Sequence, residues 1–453
     1  SGQLRVYQPG PEVLARSALR VFADGFIEVR FEAGLPARGR RVLGREAWGL
    51  LTEDIPSAAQ TLCSAPGLAE HVASIVAQRA LRDALPAHGL VAFVANGSVL
   101  PRASGVSQEP LAEAVEFQSP PSMEVTLQTA LGPVSGMGIA EGITLIVGGG
   151  FHGKSTLLQA IERGHLDHIP GDGRERVVAR ADVAKIRAED GRRVCGVDIS
   201  TFLTNLPGGK STSPFDTDDA SGSTSQAASI MEVLEAGSRF LVMDEDTCAT
   251  NLLVRDARMR QLITREMEPI TPLLERIVQL RDDWSVSLIF VVGGVGDYLA
   301  VADTVVGMET YRASDLSEKA ASIGGKTPQP PSTIERPAPR VPSRRGLEPG
   351  KIRARDERRV DYNRNEIDLS AVEQVLDGAH ASTLGYALAV LHDHIVDGVR
   401  TLAECLERLD QLMDVDGVEA LSPRAYPDGR LVRPRRLEVA AALNRLRTLR
   451  LNR

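Results

Sequence analysis

Aromatic residues are scarce in this chain, 4% of its 453 residues, so its core has to be built mainly from Ala, Val, Leu and Ile. Cysteine is scarce too. Cys63, Cys195, Cys248 and Cys405 lie far apart with no CxxC pair, which argues against a disulfide framework or a thiolate zinc site and for a reducing compartment. No apolar run approaches the ~20 residues of a membrane-spanning helix, so no membrane association is expected. No internal repeat is evident and no signal peptide opens the chain. Ser1-Gly2 reads as a cloning remnant, which leaves room for a trimmed targeting segment.

What is present is ordinary for a globular protein: 43% hydrophobic and 25% charged residues, at a length that suits two or three domains. The net charge of −8 is unevenly spread. Between Arg336 and Arg364 nine Arg and one Lys face four acids, a local surplus of six that leaves −14 for the rest. Such a protein does not bind polyanions over its whole surface; it binds them at one place or not at all.

The first 123 residues read as a mixed α/β domain. Phe26–Phe31 alternates like a half-buried strand, and Leu68, Val72, Ile75 and Val76 share one helical face. Leu90–Ala95 is a compact apolar strand ending in Asn96-Gly97, a pair suited to closing a hairpin. Residues 124–327 alternate strand and helix, which implies a mostly parallel sheet. The strands are Ile143–Val147, Phe240–Met243 and Val286–Val292; helix Gln226–Ala236 stops at Gly237, and two more helical stretches flank Glu268-Pro269-Ile270-Thr271-Pro272. Residues 328–366 read as a Pro/Arg-rich linker or arm, with seven of the 26 prolines between Pro328 and Pro349. Residues 367–453 read as a small helical domain, with helices expected at Ile367–Leu376, Leu384–Val399, Leu402–Met413 and Leu437–Leu449.

Gly148-Gly149-Gly150-Phe151-His152-Gly153-Lys154-Ser155 satisfies GxxxxGK[ST] between an expected strand and an expected helix, the context that makes the pattern specific. Backbone N–H groups of such a loop wrap a β-phosphate, and Lys154 neutralises β- and γ-phosphate oxygens. Ser155 ligates Mg²⁺, with Thr156 beside it in the first turn. Phe240-Leu241-Val242-Met243 places Asp244 at the end of a buried strand, where it holds the Mg²⁺ shell. Glu245 is then placed to orient or deprotonate the attacking water. The expected cofactors are ATP and Mg²⁺. Between the two motifs, Ala220-Ser221-Gly222-Ser223-Thr224-Ser225-Gln226 precedes a helix and suits close approach to an anion or, alternatively, a simple N-cap.

The chain resembles the predicted ATPases of the ABC class, a family separate from the transporter subunits. The likeness is carried by Val91–Arg102, the phosphate loop, His168–Glu175, Val197–Ser200, Ala220–Ala227, Asp244–Thr247, Ala249–Asn251, Glu268–Pro272, Gly296–Tyr298 and Arg435–Arg447. Within the family it is most similar to a trypanosomatid mitochondrial RNA-binding member associated with RNA editing. The resemblance implies a P-loop ABC-type ATPase core in a head-to-tail homodimer. Ser221, Gly222 and Ser223 of one subunit would reach the γ-phosphate held by the other. It also implies a mitochondrial location, single-stranded RNA as ligand and components of an RNA-editing complex as partners.

Two departures stand out. Where ABC ATPases place a switch histidine, this chain has Val291-Val292-Gly293-Gly294-Val295-Gly296-Asp297. Asp297 offers an acceptor for the water but no positive charge, so hydrolysis is expected to be slow. The usual Q-loop glutamine is missing as well, leaving Asp198 or Ser200 as substitutes. For RNA, Arg344, Arg345, Lys351, Arg353, Arg355, Arg358 and Arg359 are the first candidates, with Arg430, Arg433, Arg435 and Arg436 a second cluster. No RNP-type aromatic motif, KH loop or zinc knuckle is present, which favours a phosphate-tracking groove over base readout. His165, Asp167 and His168 read as a solvated loop after a helix rather than a metal site, and Cys248 as a small buried filler. The reading is thus an RNA-binding ABC-class ATPase. Its rivals are an RNA-binding scaffold with nucleotide as a structural ligand, and a transport-associated ATPase subunit.

Overall fold

A computed structural model of the chain describes residues 2–263, 267–328, 330, 332–423 and 428–452. Small antiparallel pairs come first, Gln3–Arg5 with Glu32–Gly34 and Leu19–Val21 with Ile27–Val29. Helix α1 (Leu68–Ala84) leads into strand β1 (Leu90–Ala95), and β2 (Glu124–Thr129) and β3 (Gly132–Ala140) form a hairpin. Then come β4 (Ile143–Val147), α2 (Lys154–Arg163), β5 (Val177–Ala179), β6 (Val183–Ile186) and α3 (Gly222–Glu235). The core continues with β7 (Phe240–Asp244), α4 (Leu273–Trp284), β8 (Ser287–Val292), β9 (Thr304–Glu309) and β10 (Arg312–Asp315). The C-terminal part holds β11 (Ile352–Ala354), β12 (Arg359–Tyr362), β13 (Asn365–Asp368), α5 (Gly378–Val390), α6 (Leu402–Asp416) and α7 (Arg436–Arg445).

The central sheet runs β6-β7-β8-β4-β9-β10, parallel except for β10 at the edge. Its strands are continuous apolar runs because both faces are covered. Within them, alternate residues serve different cores. Leu241 and Met243 of β7 and Leu288 and Phe290 of β8 pack with α3, α4 and the C-terminal helices. Phe240, Val242, Ile289 and Val291 pack on the other face with Leu157, Leu158 and Ile161 of α2 and with the antiparallel sheet β5-β1-β3-β2. Each such side chain contributes ~1.5–3 kcal/mol on burial.

Several expectations are corrected. The boundary at residue 123 cuts through a sheet, since β1 is hydrogen-bonded to β3 and to β5. Asn96-Gly97 closes no hairpin; Asn96 Oδ1 accepts from Ser119 N at 2.7 Å and its Nδ2 donates to Glu124 at 2.8 Å. In α1 the buried residues are Ala77, Gln78 and Leu81, in the C-terminal half that lies against Leu127 and Val178. Leu68, Val72 and Val76, which share one helical face, are exposed.

The 328–366 stretch, whose residues 329 and 331 lie outside the described ones, is a packed strap followed by a sheet. Arg340 is buried against Glu235, Val341–Pro342 pairs with Leu451–Asn452, and β11-β12-β13 form a meander. No helix spans 367–376. The chain there is the end of β13 and a turn, because Asp377 caps α5 by accepting from His380 N at 2.8 Å. The C-terminal helices share one continuous core with α3 and α4.

Buried charge ties the layers together. Arg192 Nη2 donates to Glu232 Oε2 at 2.6 Å, with only 2% and 4% of their side chains exposed. Removing one partner strands the other. Glu232→Ala is expected to cost about 3–5 kcal/mol in urea unfolding, and adding Arg192→Leu to recover much of it. No recovery in the double variant would refute this account.

Burial pushes the imidazoles of His165 and His380 below their ordinary range. Both are neutral when folded, whereas the unfolded chain takes up protons below about pH 6.5. Stability should therefore be full above that pH and fall as the pH drops through it, by up to about 1.4 kcal/mol per pH unit for each group. His380 Nδ1 accepts from Leu376 N at 3.4 Å. His380→Asn, which keeps an acceptor but does not titrate, should flatten the difference in urea midpoint between pH 7.5 and 5.5 (about one unit either side of the ordinary histidine value).

Candidate nucleotide site

β4 ends at Val147 and hands the chain to the glycine loop, which opens α2 at Lys154. Gly148 has a φ of 144°, and a side chain there would overlap the Met308 carbonyl oxygen of β9. The loop therefore passes closely over the neighbouring strand with its N–H groups free to turn toward a ligand. Nothing stands within 4 Å of a Cβ built on Gly150, so the middle of the loop is open. Lys154 arches over it, with Nζ donating to the carbonyls of Gly148 at 2.7 Å and Gly149 at 2.8 Å. Phe151 projects into solvent, and His152 Nδ1 accepts from Thr310 N at 2.8 Å. Thr156 lies half-buried in the first turn of α2, next to the exposed Ser155.

Two motifs separated by 89 residues meet here: Ser155 Oγ donates to Asp244 Oδ2 at 2.9 Å. A hydroxyl and a carboxylate at that spacing form a hard-oxygen donor pair, the set that Mg²⁺ prefers. The site thus fits Mg²⁺ bound through Ser155 and Asp244 together with phosphate oxygens. When bound, the ion supplies charge neutralisation between the β- and γ-phosphates.

Glu245 follows β7 and is held in a way that the sequence did not reveal. Its Oε2 accepts from the backbone N–H of Gly293 at 2.7 Å, Gly294 at 2.9 Å and Val295 at 3.4 Å. The loop after β8, which lacks the switch histidine, instead presents amide donors to this carboxylate. Asp297 sits exposed in the short helix Gly296–Ala300 and makes no hydrogen bond to Glu245 among the described residues.

Ser221 caps α3 in an extended conformation, with Oγ 3.1 Å from Thr224 Oγ1 and 3.4 Å from the buried Ser223 Oγ. Gly222 keeps the helix start close to Ala188, Asp190 and Ala249. No hydrogen bond joins these residues to the phosphate loop among the described residues. Asp198, offered with Ser200 in place of the Q-loop glutamine, makes no hydrogen bond to the phosphate loop among the described residues. It accepts from Ser200 N and Oγ and from Ser213 Oγ, and lines a groove beside the last turn of α3 with Arg336 and Arg340.

The post-helix cluster is buried rather than solvated. Asp167 is paired with Arg79 and Arg82, and His168 Nδ1 lies 2.9 Å from Asp172. Cys248 is half-buried, and burial raises its thiol to about 12. Of the basic candidates, Arg355 is engaged by Asp361 and Glu366, and Arg359 by Asp356. Arg430, Arg433, Arg435 and Arg436 are likewise engaged, by Glu32, Asp414, Glu438 and Asp410. Arg344, Arg345, Lys351, Arg353 and Arg358 make no salt bridge among the described residues.

A parallel sheet with a phosphate loop after one strand and an Asp-Glu pair after another defines a P-loop ATPase. Comparison with known families places it further. The ABC_ATPase P-loop domain matches residues 64–343, the N-terminal domain of ATPases of the ABC class matches 1–65, and the MRB1590 C-terminal domain matches 351–452. The chain belongs to the ABC-class ATPase family. It is 32% identical over 262 residues to an uncharacterized protein of Methanocaldococcus jannaschii, a match that covers 55% of this chain and 57% of that protein. The chain thus spans little more than half the length of the curated relative it matches.

Among solved structures it is similar to cbiO1 of Clostridium perfringens, part of the ABC transporter complex cbiONQ, with 14% identity and a TM-score of 0.32. That match covers 52% of this chain and 92% of the other. It is also similar to the ADP conformation of an ATP-binding cassette of an ABC transporter, with 12% identity and a TM-score of 0.28, over 45% and 92% of the two chains. No helix among the described residues is long and apolar enough to cross a membrane.

Glu245→Gln keeps the shape of the carboxylate and removes its basicity. It is expected to lower ATP turnover by about 10²–10⁴-fold while leaving ATP binding intact. Phosphate release and nucleotide titration on the same preparation check it. Unchanged turnover would remove Glu245 from the reaction.

Proposed function

We propose that this protein is an RNA-binding ABC-class ATPase in which ATP binding and slow hydrolysis at a homodimer interface control the binding or remodelling of single-stranded RNA. Its setting would be mitochondrial RNA editing, in company with components of an editing complex. The observation that carries the RNA part is a groove of about 990 Å³ between the N-terminal strands and the C-terminal part. Arg5, Lys351 and Arg353 line it together with Phe31 and Tyr386. Cations that track phosphates and rings that take bases are the two parts of a single-strand site. Glu28 and Glu32 of the lining pair with Arg30 and Arg430, so the lining cations without a salt bridge among the described residues are Arg5, Lys351 and Arg353. The match of residues 351–452 to the MRB1590 C-terminal domain supports the same reading.

The dimer is supported by the placement of Ser221, Gly222 and Ser223. They form a helix start whose serine hydroxyls bond only within the first turn, with no tie to the phosphate loop of their own chain among the described residues. A second protomer, placed head to tail, would complete the site. ATP, with Mg²⁺ on Ser155 and Asp244, then acts as part of the interface, and hydrolysis removes the contact that keeps it closed. Glu245 serves as the base that receives the proton of the attacking water, and Lys154 stabilises the phosphate charge. Asp297 is a second acceptor near the water, without a cation's help to the γ-phosphate, which fits slow turnover.

The rival reading, a scaffold that uses nucleotide as a structural ligand, is favoured by the absent switch histidine. Filter binding of single-stranded RNA separates the two. Affinity should change by several-fold between Mg-ATP, Mg-ADP and no nucleotide, and should fall steeply with salt. Lys351→Ala with Arg353→Ala should weaken binding and reduce the salt slope by ~2. Identical affinities in all three nucleotide states would disprove the coupling.

A further inference from the structure

Glu245 is held by a loop that has little of its own to hold it. Gly293, Gly294 and Gly296 are three glycines in four residues, all exposed, and glycine leaves a backbone freer than any other residue does. Three N–H groups of this loop nevertheless converge on one oxygen, Glu245 Oε2. Oε1 accepts no hydrogen bond among the described residues, and a Cβ at residue 294 would stand 3.3 Å from it. For that division between the two oxygens to persist, something outside the loop has to fix the amides.

On one side the loop continues from β8, which is buried in the sheet. On the other it runs into the short helix Gly296–Ala300, and there Tyr298 is the anchor. Its side chain is fully buried. The ring stands edge-on to Phe290 of β8, with centroids 4.8 Å apart and planes at 72°. The hydroxyl donates to the Leu253 carbonyl at 2.9 Å. Leu253 ends the helix Thr250–Leu253, which follows the turn that contains Glu245. A closed frame results. It runs from Glu245 along the chain to Leu253, through the phenol to Tyr298, and back through the loop amides onto the Glu245 carboxylate. Burial first, then the neighbouring Cys248 and Glu245, push the phenol well above its ordinary range, so it stays protonated and remains a donor. Tyr298 belongs to the Gly296-Asp297-Tyr298 stretch that carries part of the family likeness, yet neither phosphate nor metal binding gives it a task.

We propose that Tyr298 is a positioning residue for ATP hydrolysis, acting through the loop to keep Oε2 of Glu245 anchored and Oε1 open to the attacking water. In the reaction the water oxygen forms its bond to the γ-phosphorus. The bond from that phosphorus to the β–γ bridging oxygen breaks, its electron pair leaves with ADP, and the water's proton passes to Oε1. A displaced carboxylate loses this alignment, and rate is lost steeply with small misplacements of a reacting group. Tyr298 has this role only if Glu245 is the base, as proposed above.

Tyr298→Phe removes one oxygen and keeps the ring. It is expected to lower kcat for ATP about tenfold, while isothermal titration finds Mg-ATP bound within about twofold of the parent affinity. In the Glu245→Gln background the same substitution should cost nothing further, because both changes act on one group. Full kcat in Tyr298→Phe, whatever its urea midpoint does, would make the phenol a purely structural bond and overturn the proposal. So would a loss that multiplies with that of Glu245→Gln, or an equal loss of affinity and kcat. Should Tyr298→Phe fail to fold, Gly294→Ala decides. Residue 294 is not left-handed and its Cβ would meet Oε1 alone, so this variant should show the same split between kcat and affinity. Unchanged kcat there would overturn the anchored loop. If Glu245→Gln itself leaves turnover unchanged, the base assignment fails first and the role of Tyr298 falls with it.

Discussion

The hydrogen bond between Ser155 and Asp244, 2.9 Å long, joins two loops that the chain makes far apart. It exists because β4 and β7 are both buried parallel strands separated by β8 alone, so their carboxyl ends open on the same edge of the sheet. The apolar runs of those strands secure that placement, since both faces of each are covered and no register slip leaves a face to water. Everything chemical in the molecule is arranged around this edge. The glycine loop, the Ser155–Asp244 pair, Glu245 on its amide donors and the turn at Thr310-Tyr311 are all strand-to-helix or strand-to-strand connections there.

How much of this was legible in the sequence depends on how local the cause is. Ile143–Val147 has the same bounds in sequence pattern and in structure because an apolar run followed by glycines has no competing solution. The phosphate loop and the Asp-Glu pair were legible for the same reason, each being a short motif whose geometry the backbone enforces. The exposure of Leu68, Val72 and Val76 was not legible, because a helical stripe tells which residues share a face, not whether a partner stands opposite it. The pairing within the basic stretch was hidden for another reason. Arg355 is paired with carboxylates that a β-meander brings close and Arg359 with Asp356 in the turn before it, and no count of charges along the chain shows that pairing.

Glu245 shows where sequence reasoning reached its end. The pair Gly293-Gly294 was read as the place where a histidine is missing. In the structure those residues have a positive role, since their N–H groups bind the carboxylate. A backbone donor leaves no residue signature except room, and the Cβ of an alanine at 294 would lie 3.3 Å from Glu245 Oε1.

The C-terminal part bears on the nucleotide edge more directly than an appended domain would. Gln374 Nε2 donates to the carbonyls of Glu162 and Val183, and Arg163 donates to Glu373 O, so residues 373–374 grip the far end of α2, the helix that begins at Lys154. Arg445 of α7 pairs with Glu189 at 2.7 Å, and Glu189 N donates to Ser225 Oγ in the first turn of α3, the helix that begins beside Ser221. Arg340 then holds Glu235 at the other end of α3. The C-terminal part and the Arg340 strap therefore grip the far end of α2 and both ends of α3. A rotation of α3 relative to α2 must either carry the C-terminal helices along or break the Arg445–Glu189 pair. Because these groups are largely buried, breaking the pair leaves charge without a partner and is the costlier course.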